Sequence, residues 1–176
     1  MDEAHTANLL GALALVVHDR LSEAMTDASG RGETAAAALS SLDNFLDRPT
    51  IDTLRRVLGL TSSGTVRLVD GLEKENLIER GQGDDRRATA LQLTRTGRRA
   101  ATRVATARAG VLNDALATLS GRERETLDGL LAKLLVGMMR EPGATKYMCR
   151  LCDASACGHA DGRCPVRNAA RERFAT

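Results

Sequence analysis

Between Thr50 and Leu93 the chain carries two short helical stretches hinged on one glycine, then two extended stretches around a polar turn. Few folds accept that order. Pro49 ends the preceding helix, Thr50 can cap the next, and Gly59 closes it after Leu58. Leu60 leads to Thr61, a good N-cap for a helix that runs to about Asn76. Two helices joined by a tight turn containing glycine are the outline of a helix-turn-helix. Leu77 to Arg80 is then extended, and Gly81 and Gly83 open a turn through Asp84 and Asp85. Thr89 to Leu93 alternates like a returning strand, so the pair makes a β-hairpin. The expected fold class is mainly α with a small β-hairpin wing, an α+β winged helix-turn-helix.

The flanks are helical. Leu9, Leu10, Leu13, Val16, Val17 and Leu21 recur at spacings of three and four over residues 4–27. A break at Ser29-Gly30 and Gly32 precedes an Ala- and Leu-rich helix over 34–46. Thr94 caps a helix over 96–119, and Ser120-Gly-Arg-Glu123 is a capping box for the next. That last helix is expected to bury Leu127, Leu130, Leu131, Leu134, Leu135 and Met138, and Pro142-Gly143 stops it. Leucine-rich helices at both ends suit a homodimer with the winged modules left free. The expected division is a dimerisation helix over 1–32, a DNA-binding unit over 33–95, further dimerisation helices over 96–143, and a Cys-rich tail over 144–176.

Charge supports a duplex as partner. The net charge of +2 is nearly neutral, but eight arginines and two aspartates fall between Arg80 and Arg108, which leaves +6 in that stretch. Local basicity of this kind is a footprint of phosphate contact. Phe45, Tyr147 and Phe174 are the only aromatics, so there is little on which single-stranded bases could stack. The apolar run Leu9 to Val17 lacks a basic lead and falls short of the about 20 residues that a membrane span needs. No membrane association and a cytoplasmic location are expected.

In the second helix of the motif, Val66, Val69 and Leu72 are expected to pack inward, with Ser63, Arg67, Asp70 and Lys74 opposite. The N-terminal end of such a helix enters the major groove, where Ser62, Ser63 and Arg67 become the candidate contacts. Gly64 would let the duplex come close. At the hairpin tip, Arg87 is the candidate for insertion into a narrow minor groove, with Asp85 as its orienter and Arg86 on phosphate.

These segments together resemble the MarR family of regulators. The resemblance covers roughly residues 9–140. It rests on Leu60-Thr-Ser-Ser-Gly-Thr-Val-Arg-Leu-Val-Asp-Gly-Leu-Glu73, Leu77-Ile-Glu-Arg80, Asp85-Arg-Arg87 and Leu91-Gln-Leu-Thr-Arg-Thr-Gly97. The family's wing motif Asp-x-Arg falls on Asp85 and Arg87. Asn76 stands where many relatives have glycine. The resemblance implies an obligate dimer, a palindromic double-stranded DNA operator, and release by a small molecule or by cysteine oxidation.

Cys149-x2-Cys152-x4-Cys157-x6-Cys164 packs four thiols into a short tail. In a reducing compartment such spacing reads as metal ligands before disulfides. Zinc is the expected ion, with His159 as an alternative fourth ligand. An iron–sulfur cluster and a thiol switch are the alternatives. The tail looks too short and polar to fold by burial, so the metal is expected to provide its folding energy. No nucleophile motif, phosphate loop or catalytic carboxylate pair is present, so the chain is not expected to be an enzyme. Two other readings stay open: an iron–sulfur redox protein, or a protein-interaction module on the same scaffold.

Overall fold

A computed structural model describes residues 3–82, 89–141 and 143–174 of the chain. The order is α1 (Glu3–Ser29), α2 (Glu33–Asn44), α3 (Ile51–Leu58), α4 (Ser62–Lys74), β1 (Ile78–Gln82), β2 (Thr89–Leu93), α5 (Arg95–Leu116), α6 (Gly121–Met138), α7 (Ala144–Met148) and α8 (Pro165–Phe174). The helix-turn-helix and the hairpin stand where the sequence puts them.

Local chemistry sets the helix starts. Thr50, Thr61, Thr94 and Ser120 each accept a backbone N–H from the first turn that follows, and Ser120 with Glu123 completes the capping box. Gly59 ends α3 in the left-handed region at φ 66°, which makes the turn into α4 tight. Asn76 takes the same region at φ 55°, a conformation asparagine tolerates, so the exit from α4 survives without glycine. Thr94 Oγ1 donates to Asn76 O at 2.6 Å and accepts from Gly97 N at 3.0 Å, which ties this exit to the start of α5.

The winged unit closes over one aliphatic core. Leu39 of α2, Leu54 of α3, Val69 and Leu72 of α4, Ile78 and Leu91 of the hairpin, and Ala100 of α5 meet there. β1 and β2 pair antiparallel with Ile78 opposite Leu93 and Gln82 opposite Thr89. Leu91 N also donates to Pro49 O at 2.8 Å, so the hairpin is stitched to the chain entering α3. The C-terminal half of α1 lies on α5 around Met25, Ala36 and Val104.

Two results within the buried cores differ from the sequence reading. Val66 does not pack inward: it is 42% exposed, and Thr65 is buried in its place. The Thr65 hydroxyl donates to Thr61 O at 2.9 Å, so burying it leaves no polar group unpaired. The tail is also more than a polar segment awaiting metal. α7 and α8 close over Met139, Cys164 and Val166, with Met148 and Phe174 against them.

Leu9, Leu10, Leu13, Leu15 and Val16 of α1 stand exposed, and no residue of α6 is buried. The burial expected of Leu130, Leu131, Leu134, Leu135 and Met138 is therefore not met within the single chain, because α6 packs no core of its own there and all five stand exposed. Among the described residues no helix is long and apolar enough to cross a membrane.

Candidate nucleic-acid interface and thiol cluster

The Thr61 cap accepts from Gly64 N at 3.2 Å and leaves the first turn of α4 pointing outward. Ser62, Ser63 and Arg67 are all exposed there. Arg67 Nε rests on Ser63 O at 3.3 Å, so the three groups form one polar edge. A Cβ on Gly64 would come within 3.0 Å of Thr61 Oγ1. The cap itself therefore favours glycine at this position, whatever approaches from outside.

The far end of α4 is tied down. Arg31 pairs with Glu75 and reaches Gly71 O. Arg80 of β1 pairs with Asp70 and with Glu73, the latter at 2.9 Å. Each half-exposed pair is worth at most about 1 kcal/mol. Together they hold α4 against the wing strand, and Asp70 is engaged by Arg80. Other arginines of the basic stretch also brace the fold. Arg98 donates to Leu93 O at 2.8 Å and Arg103 to Ala28 O at 3.1 Å. Composition counted these arginines as phosphate contacts, and nothing local in the sequence marked them as braces. The wing-tip candidates Asp85, Arg86 and Arg87 lie outside the described residues.

The four cysteines come together. All are free thiols, and they line one cavity of about 470 Å³ together with His159 and Phe45. Lys146, Arg167 and Arg171 face the same cavity. Among the described residues no three His, Cys, Asp or Glu side chains stand in a metal-holding arrangement. Backbone turns order the loop between the thiols. Asp153 Oδ1 accepts from Ser155 N at 2.8 Å and from Ala156 N at 3.1 Å, and Arg163 N donates to Gly158 O at 3.0 Å.

The thiols differ in acidity. Hydrogen bonding to Cys149 lowers Cys152 to about 6; burial opposes this and Arg108 assists. The same pairing raises Cys149, with burial and the neighbouring sulfurs adding to it. Burial first, then Cys164, pushes Cys157 up to about 11. Burial lowers His159, and Arg167 and Arg171 add to it, so its imidazole is neutral near pH 7 and able to ligate.

The tail is seated on the winged unit. The Tyr147 ring lies against Gly59, 3.4 Å from where a Cβ there would stand, and the Arg150 guanidinium stacks 4.3 Å from the ring centroid. Ser41 Oγ donates to Arg150 O at 3.1 Å, and Leu151 packs near Met25, Ala36 and Val104. None of these contacts was foreseen. The scarcity of aromatics made Tyr147 conspicuous, but nothing in the sequence pointed to its partner.

Comparison with known proteins agrees with this geometry. The MarR family pattern matches residues 29–88. The Escherichia coli K12 transcriptional repressor MprA is 33% identical over 134 residues, spanning 72% of this chain and 75% of that protein. The crystal structure of YusO from Bacillus subtilis superposes with a TM-score of 0.62 at 25% identity, over 74% of this chain and 92% of that one. MepR, a regulator of the Staphylococcus aureus multidrug efflux pump MepA, shares the fold at a TM-score of 0.65 and 19% identity, over 76% and 98% of the two chains.

Proposed function

The chain belongs to the MarR family of winged-helix DNA-binding transcriptional regulators, which are not enzymes, and from that premise we propose that it is a homodimeric repressor of a palindromic double-stranded DNA operator. The observation that carries this reading is the first turn of α4. Ser62, Ser63 and Arg67 are left exposed at a capped helix end, while the opposite end of the helix is held by Arg31 and Arg80. That end suits the major groove, with the arginine forked on guanine and the serines on base or phosphate. Asp85, Arg86 and Arg87 serve the flanking minor groove in the roles read from the sequence. A MepR variant bound to an oligodeoxyribonucleotide supports DNA as the partner.

The exposed leucine faces of α1 and α6 form the two-fold interface. A small-molecule effector releases the operator, by analogy with a Mycobacterium tuberculosis MarR family protein in complex with p-aminosalicylic acid. The four tail cysteines hold zinc, with His159 as an alternative ligand and an iron–sulfur cluster as the alternative occupant. The protein works in the cytoplasm.

Arg67→Ala tests the groove assignment. It is expected to weaken binding to a duplex selected from a random-sequence pool by about 1–3 kcal/mol and to relax base choice at one position in each half-site. An equal loss on selected and unrelated duplexes would make Arg67 a phosphate contact. No loss on either would remove α4 from the groove.

A further inference from the structure

We infer that one zinc ion on Cys149, Cys152, Cys157 and Cys164 clamps the C-terminal tail between α6 and the helix-turn-helix, so that metal loading sets operator affinity. This deepens the regulatory reading above and rests on it for its readout.

The tail has two footholds. α8 lies on α6, where Arg173 Nη1 donates to Val136 O and Met139 O at 3.3 Å each. α7 lies on α3, with Tyr147 over Gly59 at the turn that leads into α4. The cysteines are divided between these footholds. Cys149 and Cys152 directly follow α7, and Cys164 directly precedes α8. An ion shared by the four sulfurs therefore joins the helix-turn-helix side to the α6 side.

Four soft donors in one cavity suit zinc, which needs a closed tetrahedral thiolate set in a structural site. Zinc on four thiolates carries two net negative charges, and Lys146, Arg167 and Arg171 around the cavity offset them. Among the described residues no three of these cysteine side chains stand in a metal-holding arrangement, so sharing one ion requires the sulfurs to turn toward a common point. The tail's own core is built on Met139, Cys164 and Val166 with Met148 and Phe174 against them, and the ion adds a link that spans both footholds. Without that link α7 is held less firmly on α3, Tyr147 leaves Gly59 more readily, and the turn that aims α4 loses part of its outer support.

The test uses the full chain, purified anaerobically with a non-thiol reductant. Zinc is counted, and affinity for a duplex selected from a random-sequence pool is measured with loaded and chelator-stripped protein. Wild type is expected to hold one zinc per chain and to lose at least about tenfold in affinity when stripped. Tyr147→Ala is expected to keep its zinc and show the same affinity, within about twofold, loaded or stripped; Tyr147→Phe, which keeps the ring, behaves as wild type. Zinc present but wild-type affinity unchanged on stripping overturns the coupling. No zinc uptake, or iron with sulfide in its place, overturns the zinc assignment. Failure of loaded and stripped protein alike to bind any duplex overturns the DNA reading instead.

Discussion

Gly97→Ala is expected to cost about 3 kcal/mol or more, because the added methyl group would have to displace backbone. A Cβ at this position would stand 1.8 Å from Leu77 O and 2.8 Å from Leu77 C, with Leu93 Cδ2 at 3.2 Å on another side. A flexible side chain could give way, but a carbonyl inside a hydrogen-bonded junction cannot. Leu77 O already accepts from Thr94 N at 3.1 Å. Relief would pull the start of α5 off the base of the hairpin and open the core between Ile78 and Ala100. For a chain of this size the loss corresponds to roughly 6–12 °C in Tm. Gly110→Ala in the same helix is the control. Nothing lies within 4 Å of a Cβ there, so the gain in helix propensity of about 1 kcal/mol should make that variant neutral or slightly more stable. Thermal unfolding of the three proteins at equal protomer concentration checks both, since the proposed dimerisation would make Tm concentration-dependent. A Gly97→Ala protein that melts with wild type would refute the close packing.

Leu13→Glu combined with Leu134→Glu is expected to give a folded monomer whose operator affinity falls at least about a hundredfold. Leu13 is 58% exposed and Leu134 47% exposed in the single chain, so neither substitution disturbs a core. In the proposed dimer both sit in an apolar face, where an unpaired carboxylate is costly to desolvate. Each monomer keeps its own winged unit and loses the second half-site, so the avidity of two linked contacts disappears. Light scattering and duplex titration on one preparation read both consequences. A double variant that stays dimeric and binds tightly would place the interface elsewhere.

What could be read from the sequence was what local chemistry decides. The caps at Thr50, Thr61, Thr94 and Ser120 and the stop at Gly59 each depend on a few neighbouring residues, whereas the in-and-out alternation read in β2 fails at Ala90, which is buried beside Leu91 where the strand bridges to Thr50. The inward face of α4 was read one residue off because Val66 and Thr65 both keep helical spacing to Val69 and Leu72. The hydroxyl bond to Thr61 O, which makes a buried threonine acceptable, has no mark in a hydropathy pattern. The brace from Arg80 to Asp70 and Glu73 crosses from strand to helix, and arginine charge alone gave no hint of it. The order in the tail escaped for a similar reason. α8 is polar on average, and its buried Val166 finds Met139 only after the chain has turned back on itself.

Salt dependence of duplex binding tests the central claim most directly, because a DNA-reading dimer must release counterions from the phosphates it covers. On the selected duplex, the slope of log affinity against log salt is expected near −5 to −7, corresponding to about six to eight phosphate contacts, with unrelated duplexes bound far more weakly at the same salt. A slope near zero, or equal affinity for selected and unrelated duplexes at every salt, would contradict it and leave the winged module as an interaction surface for something other than an operator.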